Sequence, residues 1–253
     1  MKRDVMTRDM VVRDMVSRDV GTRGFGLETR RWQQPQHLGI RITIHDLLLK
    51  VNRMANPIDF YFDFSSPYGY FASAKIDDLA AKHGRTVTWR PILLGAVFKI
   101  TGGQPLPTIP LKGSYSAHDL ARSARRFKVP FKLPTKFPIG TTAPARAFYW
   151  VGDKDPALAK PLAQALYHAY FAEDRDISNP EVTGNVAAKL GVDKAELTQA
   201  LNDPAVKERL KTEVDAAIER GVFGSPYIVV DGEPFWGSDR LEQVDKWLAT
   251  GGW

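Results

Sequence analysis

The fold of this chain is decided by the stretch Asp59-Phe60-Tyr61-Phe62-Asp63-Phe64-Ser65-Ser66-Pro67-Tyr68-Gly69-Tyr70. Residues 58–62 are almost wholly apolar or aromatic, as in a strand covered on both faces, and a helical pattern then reaches about His83. Ser66 therefore lies where a strand leads into a helix, with Pro67 in the first turn, where a missing N–H costs nothing. A serine there caps the helix, and the same helix end stabilises an anion such as a thiolate or a phosphate. The Ser-Pro pair alone favours the cap, because Ser-Pro before a helix is common.

Strand and helix patterns on either side of this stretch predict an α/β domain in two parts. Residues 57–95 form the first part, a βαβ unit whose connection is long enough for parallel strands. Residues 221–253 form the second part, a hairpin followed by a closing helix with Ser238 or Asp239 as its cap. The predicted strands cover 58–63, 86–90, 227–230 and 234–236, and the predicted helices cover about 67–83 and 239–249.

Residues 96–220 form an insertion between the two parts. Gly and Pro are frequent between Gly95 and Gly113, which predicts a long loop, and such a loop is usually functional or mobile. Helical patterns follow, with Asn179-Pro180 and Asp203-Pro204 each supplying a cap and a first-turn proline. The predicted helices cover about 117–127, 143–152, 157–172, 180–190, 194–202 and 204–220. This order of elements predicts a thioredoxin-like fold with an inserted all-helical domain.

Residues 1–56 are predicted to be an N-terminal extension outside this domain. Arg-Asp pairs recur there every five residues, a spacing that fits neither a helix face nor a strand face, so we expect disorder. Met54 directly precedes the first strand and is a candidate for the true start of the protein. Residues 1–53 carry 11 Lys and Arg against 6 Asp and Glu, which leaves 24 against 23 in residues 54–253. Because the body is nearly neutral, the net charge of +6 does not indicate nucleic-acid binding.

The composition excludes several kinds of chemistry. The chain has no cysteine, which removes disulfides, thiolate metal sites and redox reactions carried by its own sulfur. Its 5 histidines show no close metal-ligand spacing, so we expect no metal. No apolar run approaches the ~20 residues of a membrane span and no secretory signal is evident, which predicts a soluble, cytoplasmic protein. Any sulfur chemistry therefore requires a thiol from another molecule.

A second motif supports a ligand site beside Ser66. The segment Val222-Phe223-Gly224-Ser225-Pro226-Tyr227 precedes the third strand, where thioredoxin-like proteins carry a cis-proline. The residue before such a proline turns its backbone N–H and C=O toward the amino end of the first helix, where they pair with a peptide-like ligand. In this chain that residue is Ser225.

Four motifs in order make residues 57–250 resemble the 2-hydroxychromene-2-carboxylate isomerases and the kappa-class glutathione transferases. They are Phe62-Asp63-Phe64-Ser65-Ser66-Pro67-Tyr68, Pro110-Leu111-Lys112-Gly113-Ser114-Tyr115, Phe223-Gly224-Ser225-Pro226 and Gly237-Ser238-Asp239-Arg240-Leu241. The resemblance places Ser66 where related disulfide oxidoreductases have the first Cys of Cys-x-x-Cys. It implies that Ser66 is the catalytic residue, whose hydroxyl donates to the glutathione sulfur. A donor and a helix end suit this role because a thiol of pKa ~8.5 is mostly protonated at neutral pH.

The resemblance also implies a wider set of contacts. The implied glutathione-binding residues are Ser66, Pro67, Tyr68, Gly103, Pro110, Lys112, Ser225, Pro226, Ser238 and Asp239. Ser238 and Asp239 would receive the γ-glutamyl group, although capping of the last helix explains them nearly as well. Family members often have Asn at the position of Gly103, so contact there would be through backbone. Lys99 and Arg240 are candidates for binding a substrate carboxylate.

Two further sets of side chains have alternative interpretations. Asp63 either tunes the thiolate or makes a buried structural hydrogen bond, and we favour the second. Phe148, Tyr149, Trp150 and Tyr167 form either an aromatic wall for the substrate or part of the core, where aromatic residues at helical spacing usually lie.

The implied function is a glutathione-dependent isomerisation of 2-hydroxychromene-2-carboxylate or a similar intermediate of aromatic degradation. Glutathione would be the cofactor, added to the substrate and then eliminated. The alternatives are a kappa-type glutathione transferase that conjugates electrophiles and a noncatalytic thioredoxin-like binding protein. The expected partners are a small aromatic substrate and a second copy of the chain in a homodimer, with no nucleic acid and no membrane.

Overall fold

The structure is a computed structural model that describes residues 56–253. The predicted extension over residues 1–56, apart from Asn56, lies outside the described residues, as does the candidate start at Met54. Among the helices of the described part, none is both long enough and apolar enough to cross a membrane.

Four short strands form one mixed sheet. Strand β1 (Ile58–Phe62) lies between β2 (Val87–Pro91) and β3 (Tyr227–Val230), and β4 (Glu233–Trp236) lies at the edge beside β3. β1 and β2 are parallel, whereas β1 with β3 and β3 with β4 are antiparallel. Since β1 pairs directly with β3, the sheet joins the two ends of the domain across the insertion.

Residues 56–253 contain ten α-helices. In chain order these are α1 (Pro67–Ser73), α2 (Ile76–Lys82), α3 (Leu94–Thr101), α4 (Lys112–Phe127), α5 (Thr142–Lys154), α6 (Pro156–Phe171), α7 (Pro180–Ala188), α8 (Lys194–Ala200), α9 (Pro204–Glu219) and α10 (Leu241–Thr250). Two short 3-10 helices cover Leu106–Thr108 and Ser238–Arg240. The predicted caps at Asn179 and Asp203 are confirmed, since each side chain accepts a first-turn N–H.

The prediction of a loop from Gly95 to Gly113 is wrong. This segment contains most of α3, a 3-10 helix and the first two residues of α4. Gly102 ends α3 with a φ of +70°, a conformation that glycine adopts without steric cost. The prolines of the segment lie between the short helices or in the first turn of one, so they do not prevent helix formation.

Two other predicted boundaries also differ from the structure. The single helix predicted over 67–83 is divided into α1 and α2, with Ala74 and Lys75 between them. The closing helix begins with a 3-10 turn at Ser238, and neither Ser238 nor Asp239 caps α10 through its side chain.

The sheet and the inserted helices share one hydrophobic core. The ring centroid of Phe62 in β1 lies 5.6 Å from that of Tyr167 in α6 and 6.1 Å from that of Phe148 in α5. Tyr70 of α1 stacks on Phe171 of α6 at 5.4 Å. All five side chains are buried. The insertion therefore packs directly against the strand and the first helix that carry Ser66.

Candidate active site

A cavity of about 1330 Å³ lies between the carboxyl end of β1, the α3–α4 segment and the start of the last 3-10 helix. Its wall contains nine of the predicted site residues: Ser66, Pro67, Tyr68, Lys99, Gly103, Ser225, Ser238, Asp239 and Arg240. Pro226 is buried directly behind Ser225. Pro110 and Lys112 are exposed and do not line the cavity, so the structure does not bring them to the other predicted contacts. Ligand pockets commonly measure ~300–1,000 Å³, so this cavity has room for a tripeptide and a second small molecule.

Ser66 is fixed where β1 leads into α1. Its Oγ accepts the Gly69 N–H at 3.1 Å, which caps α1, and donates to the Ser225 carbonyl at 2.9 Å. The Ser225–Pro226 peptide bond is cis, as the sequence predicted. The capping interpretation of Ser66 is therefore confirmed, and the same oxygen contacts the cis-proline segment.

Ser225 holds the cis-proline segment against the end of β1. Its Oγ accepts the Asp63 N–H at 2.9 Å, while its carbonyl accepts the Ser66 hydroxyl. Within residues 56–253 the Ser225 N–H donates to no acceptor, and the carbonyl keeps one lone pair. These two backbone groups are the kind that bind a peptide-like ligand in the manner of an added strand.

Asp63 is a buried carboxylate that joins three segments of the cavity wall. Its Oδ1 accepts the Ser65 N–H at 2.7 Å and the Thr141 hydroxyl at 3.1 Å, and its Oδ2 accepts the Leu94 N–H at 2.7 Å. Leu94 and Thr141 stand at the starts of α3 and α5, so one carboxylate fixes both helices to β1. Burial raises the pKa of Asp63 to about 6, although the three hydrogen bonds act in the opposite direction. The structural interpretation of Asp63 is confirmed.

Gly69 lies against a crowded polar cluster. A Cβ at this position would lie 2.6 Å from Tyr167 Oη, 2.9 Å from Ser225 Oγ and 3.3 Å from Ser66 Cβ. The Tyr167 hydroxyl is fixed in place because it is fully buried and donates to the Asp63 carbonyl at 3.0 Å. Position 69 therefore accepts no side chain without displacement of a buried hydrogen bond.

Charged side chains line the cavity beyond Ser66. The cations are Lys99, Arg122, Arg126 and Arg240, and the exposed or half-buried carboxylates among them are Asp119 and Asp239. Arg122 pairs with Asp119, Arg126 with Glu242 and Arg240 with Asp239, whereas Lys99 pairs with no carboxylate within residues 56–253. The surplus of positive charge suits a ligand with more than one carboxylate. In the same part of the chain, no three His, Asp or Glu side chains are close enough to hold a metal ion.

Tyr68 connects α1 to α4 at the cavity wall. Its hydroxyl donates to Asp119 Oδ2 at 2.6 Å. Burial, and then this hydrogen bond to a carboxylate, raise the pKa of Tyr68. Burial raises the pKa of Asp119 as well, but hydrogen bonds from Tyr68 and Arg122 hold it below its usual value. Tyr68 is thus a neutral hydrogen-bond donor to a charged partner.

The absence of a side chain at Gly103 has a structural reason. A Cβ there would lie 2.7 Å from the Phe98 ring, which lines the same cavity. An asparagine at position 103 would therefore require Phe98 to move.

Of the two interpretations of the aromatic residues in the insertion, the core interpretation is confirmed. Phe148, Tyr149 and Tyr167 are core residues, at most 6% exposed, and Trp150 packs against the same core. None of the four lines the cavity. The aromatic side chains at the cavity include Phe223 and Trp236 instead, which are 43% and 56% exposed.

Sequence reasoning also missed the face of α4 that meets the cavity. Its charged members, Asp119, Arg122 and Arg126, recur at a spacing of three and four residues, which places them on one side of a helix. That spacing was visible in the sequence. The direction in which the face points depends on how α4 packs, which no local pattern indicates.

Comparison with known proteins matches residues 57–249 to the family described as DSBA-like thioredoxin domain. The chain is 32% identical over 198 residues to a 2-hydroxychromene-2-carboxylate isomerase of Sphingobium xenophagum, which covers 77% of this chain and 99% of that protein. It is 31% identical over 205 residues to glutathione S-transferase kappa 2 of Caenorhabditis elegans. This alignment covers 76% of this chain and 91% of that protein. The solved structure of a 2-hydroxychromene-2-carboxylate isomerase matches with a TM-score of 0.70 at 30% identity, covering 77% of this chain and 95% of that chain.

These similarities confirm the thioredoxin-like fold and the resemblance that the four motifs indicated. They extend over the described domain, from β1 to α10, and they leave residues 1–56 unmatched by the family. The chain therefore belongs to the DSBA-like thioredoxin domain family, in which its relatives include proteins named 2-hydroxychromene-2-carboxylate isomerase and glutathione S-transferase kappa.

Proposed function

We propose that this protein is a glutathione-dependent isomerase acting on 2-hydroxychromene-2-carboxylate or a similar intermediate of aromatic degradation. One observation carries the proposal: in a chain without cysteine, the Ser66 hydroxyl lies at a large cavity 2.9 Å from the Ser225 carbonyl. The relatives support a glutathione-dependent isomerase or transferase, and the isomerases among them favour the first. In this proposal Ser66 stabilises the glutathione thiolate.

The residues at the cavity fit glutathione by charge and by hydrogen bonding. The Ser225 N–H, which donates to no acceptor within residues 56–253, and the second lone pair of the Ser225 carbonyl suit the cysteinyl backbone. Within residues 56–253 the N–H groups of Ser238 and Asp239 donate to no acceptor, which suits the γ-glutamyl carboxylate, and the Asp239 carboxylate suits the ammonium. Lys99 is the cation of the wall that pairs with no carboxylate within residues 56–253, so it suits the other carboxylate. Lys112 and Pro110 would have to contact the ligand from outside that wall.

The Ser66 hydroxyl has a single proton, which it can donate either to the Ser225 carbonyl or to the glutathione sulfur. When bound, glutathione supplies a sulfur nucleophile that the chain itself lacks. A charged acceptor takes a stronger hydrogen bond than a carbonyl does, so Ser66 turns its proton from Ser225 toward the thiolate and lowers the thiol pKa. The Ser66 oxygen continues to accept the Gly69 N–H, because capping uses a lone pair. The Ser225 carbonyl is then free to accept an amide N–H of the ligand.

Replacement of Ser66 by alanine tests this role. We expect Ser66→Ala to lower kcat/KM for the chromene substrate by about 100-fold, the usual effect of removing one donor from a developing anion. The pKa of bound glutathione, followed by the ultraviolet absorption of its thiolate, should rise in the variant. Ser65→Ala is the matched control, because the neighbouring Ser65 Oγ accepts the Ile139 N–H at 3.2 Å instead. Full activity of Ser66→Ala, or an unchanged thiol pKa, would remove Ser66 from the mechanism.

A kappa-type transferase is the second candidate, and the similarity to glutathione S-transferase kappa 2 favours it. An isomerase regenerates glutathione, whereas a transferase consumes one molecule for each product. Glutathione assayed before and after complete conversion of the chromene distinguishes the two. Tight binding of glutathione without turnover of any tested electrophile would instead indicate a noncatalytic binding protein.

A further inference from the structure

Phe223 and Trp236 form an exposed aromatic pair at the cavity wall, and neither residue has a role in the glutathione contacts proposed above. Phe223 lies two residues before Ser225. Trp236 directly precedes Gly237, whose N–H donates to the Pro226 carbonyl at 3.0 Å. The pair is therefore attached on both sides to the cis-proline segment that contacts Ser66.

The two rings are held in place before any ligand binds. Their centroids lie 4.9 Å apart with the ring planes at 70°, and Phe223 packs edge-on against the buried Tyr227 at 5.2 Å. The indole of Trp236 lies directly on the backbone of Gly224, where a Cβ would meet its ring nitrogen at 2.2 Å. Such rings offer a binding surface at little cost in conformational entropy.

The exposure of this pair indicates a role in ligand binding rather than in core packing. Phe235, the residue before Trp236 in β4, faces the core at 6% exposure, whereas Trp236 is 56% exposed. Two adjacent aromatic rings left exposed at a concave wall are typical of binding sites. Their π faces match a planar, conjugated ring. Lys99 on the same cavity, which pairs with no carboxylate within residues 56–253, matches a carboxylate on that ring.

We infer that Phe223 and Trp236 form the surface on which the planar ring of the second substrate stacks, and that they select conjugated ring carboxylates over saturated ones. The inference rests on the proposed function, since it places this substrate in the cavity that holds Ser66. It assigns specificity to residues that touch neither the sulfur nor its hydroxyl donor.

Matched probes test the inference on the full chain. Calorimetry with saturating glutathione compares 2-naphthoate with decahydro-2-naphthoate, which has the same carbon skeleton without a π system. We expect the native protein to bind 2-naphthoate more tightly. Trp236→Leu and Phe223→Leu should each weaken it by about three- to tenfold, the size of an aromatic pair interaction, and leave the saturated acid unchanged. Trp236→Phe should restore most of the affinity.

Controls separate this inference from the proposed function. Trp253→Leu changes another exposed tryptophan, 65% exposed and outside the cavity wall, and should leave both affinities unchanged. Glutathione affinity should be equal in the native protein and Trp236→Leu. If the native protein fails to bind glutathione, the proposed function fails, whereas the naphthoate comparison repeated without glutathione still decides the role of the rings.

Two results would overturn the inference. One is an unchanged preference for 2-naphthoate in both leucine variants. The other is a change in oligomeric state of Trp236→Leu in analytical ultracentrifugation, which would assign the pair to a contact between copies of the chain.

Discussion

Asp63 joins parts of the molecule that are distant in sequence. Its carboxylate receives hydrogen bonds from the turn into α1 and from the starts of α3 and α5. Burial raises its pKa to about 6 from an ordinary value of 3.8. Because the folded state holds this proton more tightly than the unfolded state, the contribution to stability is complete below about pH 3.8. That contribution is lost as the pH rises through about 6.

Replacement of Asp63 by asparagine should remove this pH dependence. We expect the free energy of unfolding of the native protein, relative to Asp63→Asn, to fall by about 1 kcal/mol between pH 5 and pH 7.5. Urea unfolding of both proteins, followed by circular dichroism at each pH, measures the difference. Asp215→Asn is the control: it makes the same substitution at an exposed carboxylate of α9, so it shows the effect of losing the charge without burial. A difference between native protein and Asp63→Asn that stays constant with pH would contradict the effect of burial.

Residue-scale chemistry was predictable where the partner is close in sequence or where the order of the motifs places it. The cap at Ser66 was predictable because its donor, Gly69, is three residues away. The cis bond at Pro226 followed from the order of the motifs. The partners of Asp63 were not predictable, since Leu94 and Thr141 lie 31 and 78 residues further along the chain.

The connection into α4 contains a strained turn. Leu111 has φ +67° and ψ −45°, and the Lys112 N–H donates across it to the Pro110 carbonyl at 2.8 Å. This is a γ-turn of the rare, strained form, in a residue whose Cβ makes the conformation costly. The Leu111 side chain is 90% exposed, so packing does not compensate for the strain.

Glycine at position 111 should relieve this strain. We expect Leu111→Gly to raise the free energy of unfolding by about 1 kcal/mol, after allowance for the greater freedom of glycine in the unfolded chain. Thermal and urea unfolding measure the change. Leu111→Ala keeps the Cβ and should gain nothing, which separates backbone strain from loss of the exposed side chain. A Leu111→Gly protein less stable than the alanine variant would contradict the interpretation.

Elements with a strong local pattern were predictable, and the α3–α4 segment was not. The strands followed from apolar runs, and α7 and α9 followed from their Asn-Pro and Asp-Pro starts. Between Gly95 and Gly113 the density of Gly and Pro indicated a loop. Helix α3 forms there because the buried Asp63 accepts its first N–H and because Val97 packs at 2% exposure. Both interactions are tertiary, so no local pattern reveals them.

The shared core makes the sheet and the insertion one cooperative unit. Phe171 of α6 is fully buried, stacks on Tyr70 of α1, and lies 5.8 Å from Phe131. A residue of the first part of the thioredoxin-like domain and a residue of the insertion thus pack against the same ring. Although the chain order describes an insertion, the core is continuous across its boundaries.

Truncation of Phe171 should therefore destabilise the thioredoxin-like domain and the insertion together. We expect Phe171→Ala to lower the free energy of unfolding by about 3–5 kcal/mol, as is usual for a buried phenylalanine. Far-ultraviolet and near-ultraviolet circular dichroism should report coincident unfolding transitions. Ile100→Ala, at a side chain 66% exposed, is the control and should change stability little. Two separate transitions, with only one shifted, would show that the insertion unfolds independently.

At the scale of the whole molecule, the order of motifs predicted the fold and the residues around Ser66. It did not predict the opposite wall, because the direction of α4 and the exposure of Trp236 depend on the packing of the whole domain.

The crowding around Gly69 leaves no room for a pair of thiols in the first turn of α1. Cysteines at positions 66 and 69 would have Cys-x-x-Cys spacing, but the second sulfur would need the space that Tyr167 and Ser225 occupy. The buried phenol of Tyr167, tied to the end of the first strand, lies where that second sulfur would have to fit. Introduction of a dithiol for electron transfer into this domain would thus require rebuilding of the interior around Tyr167.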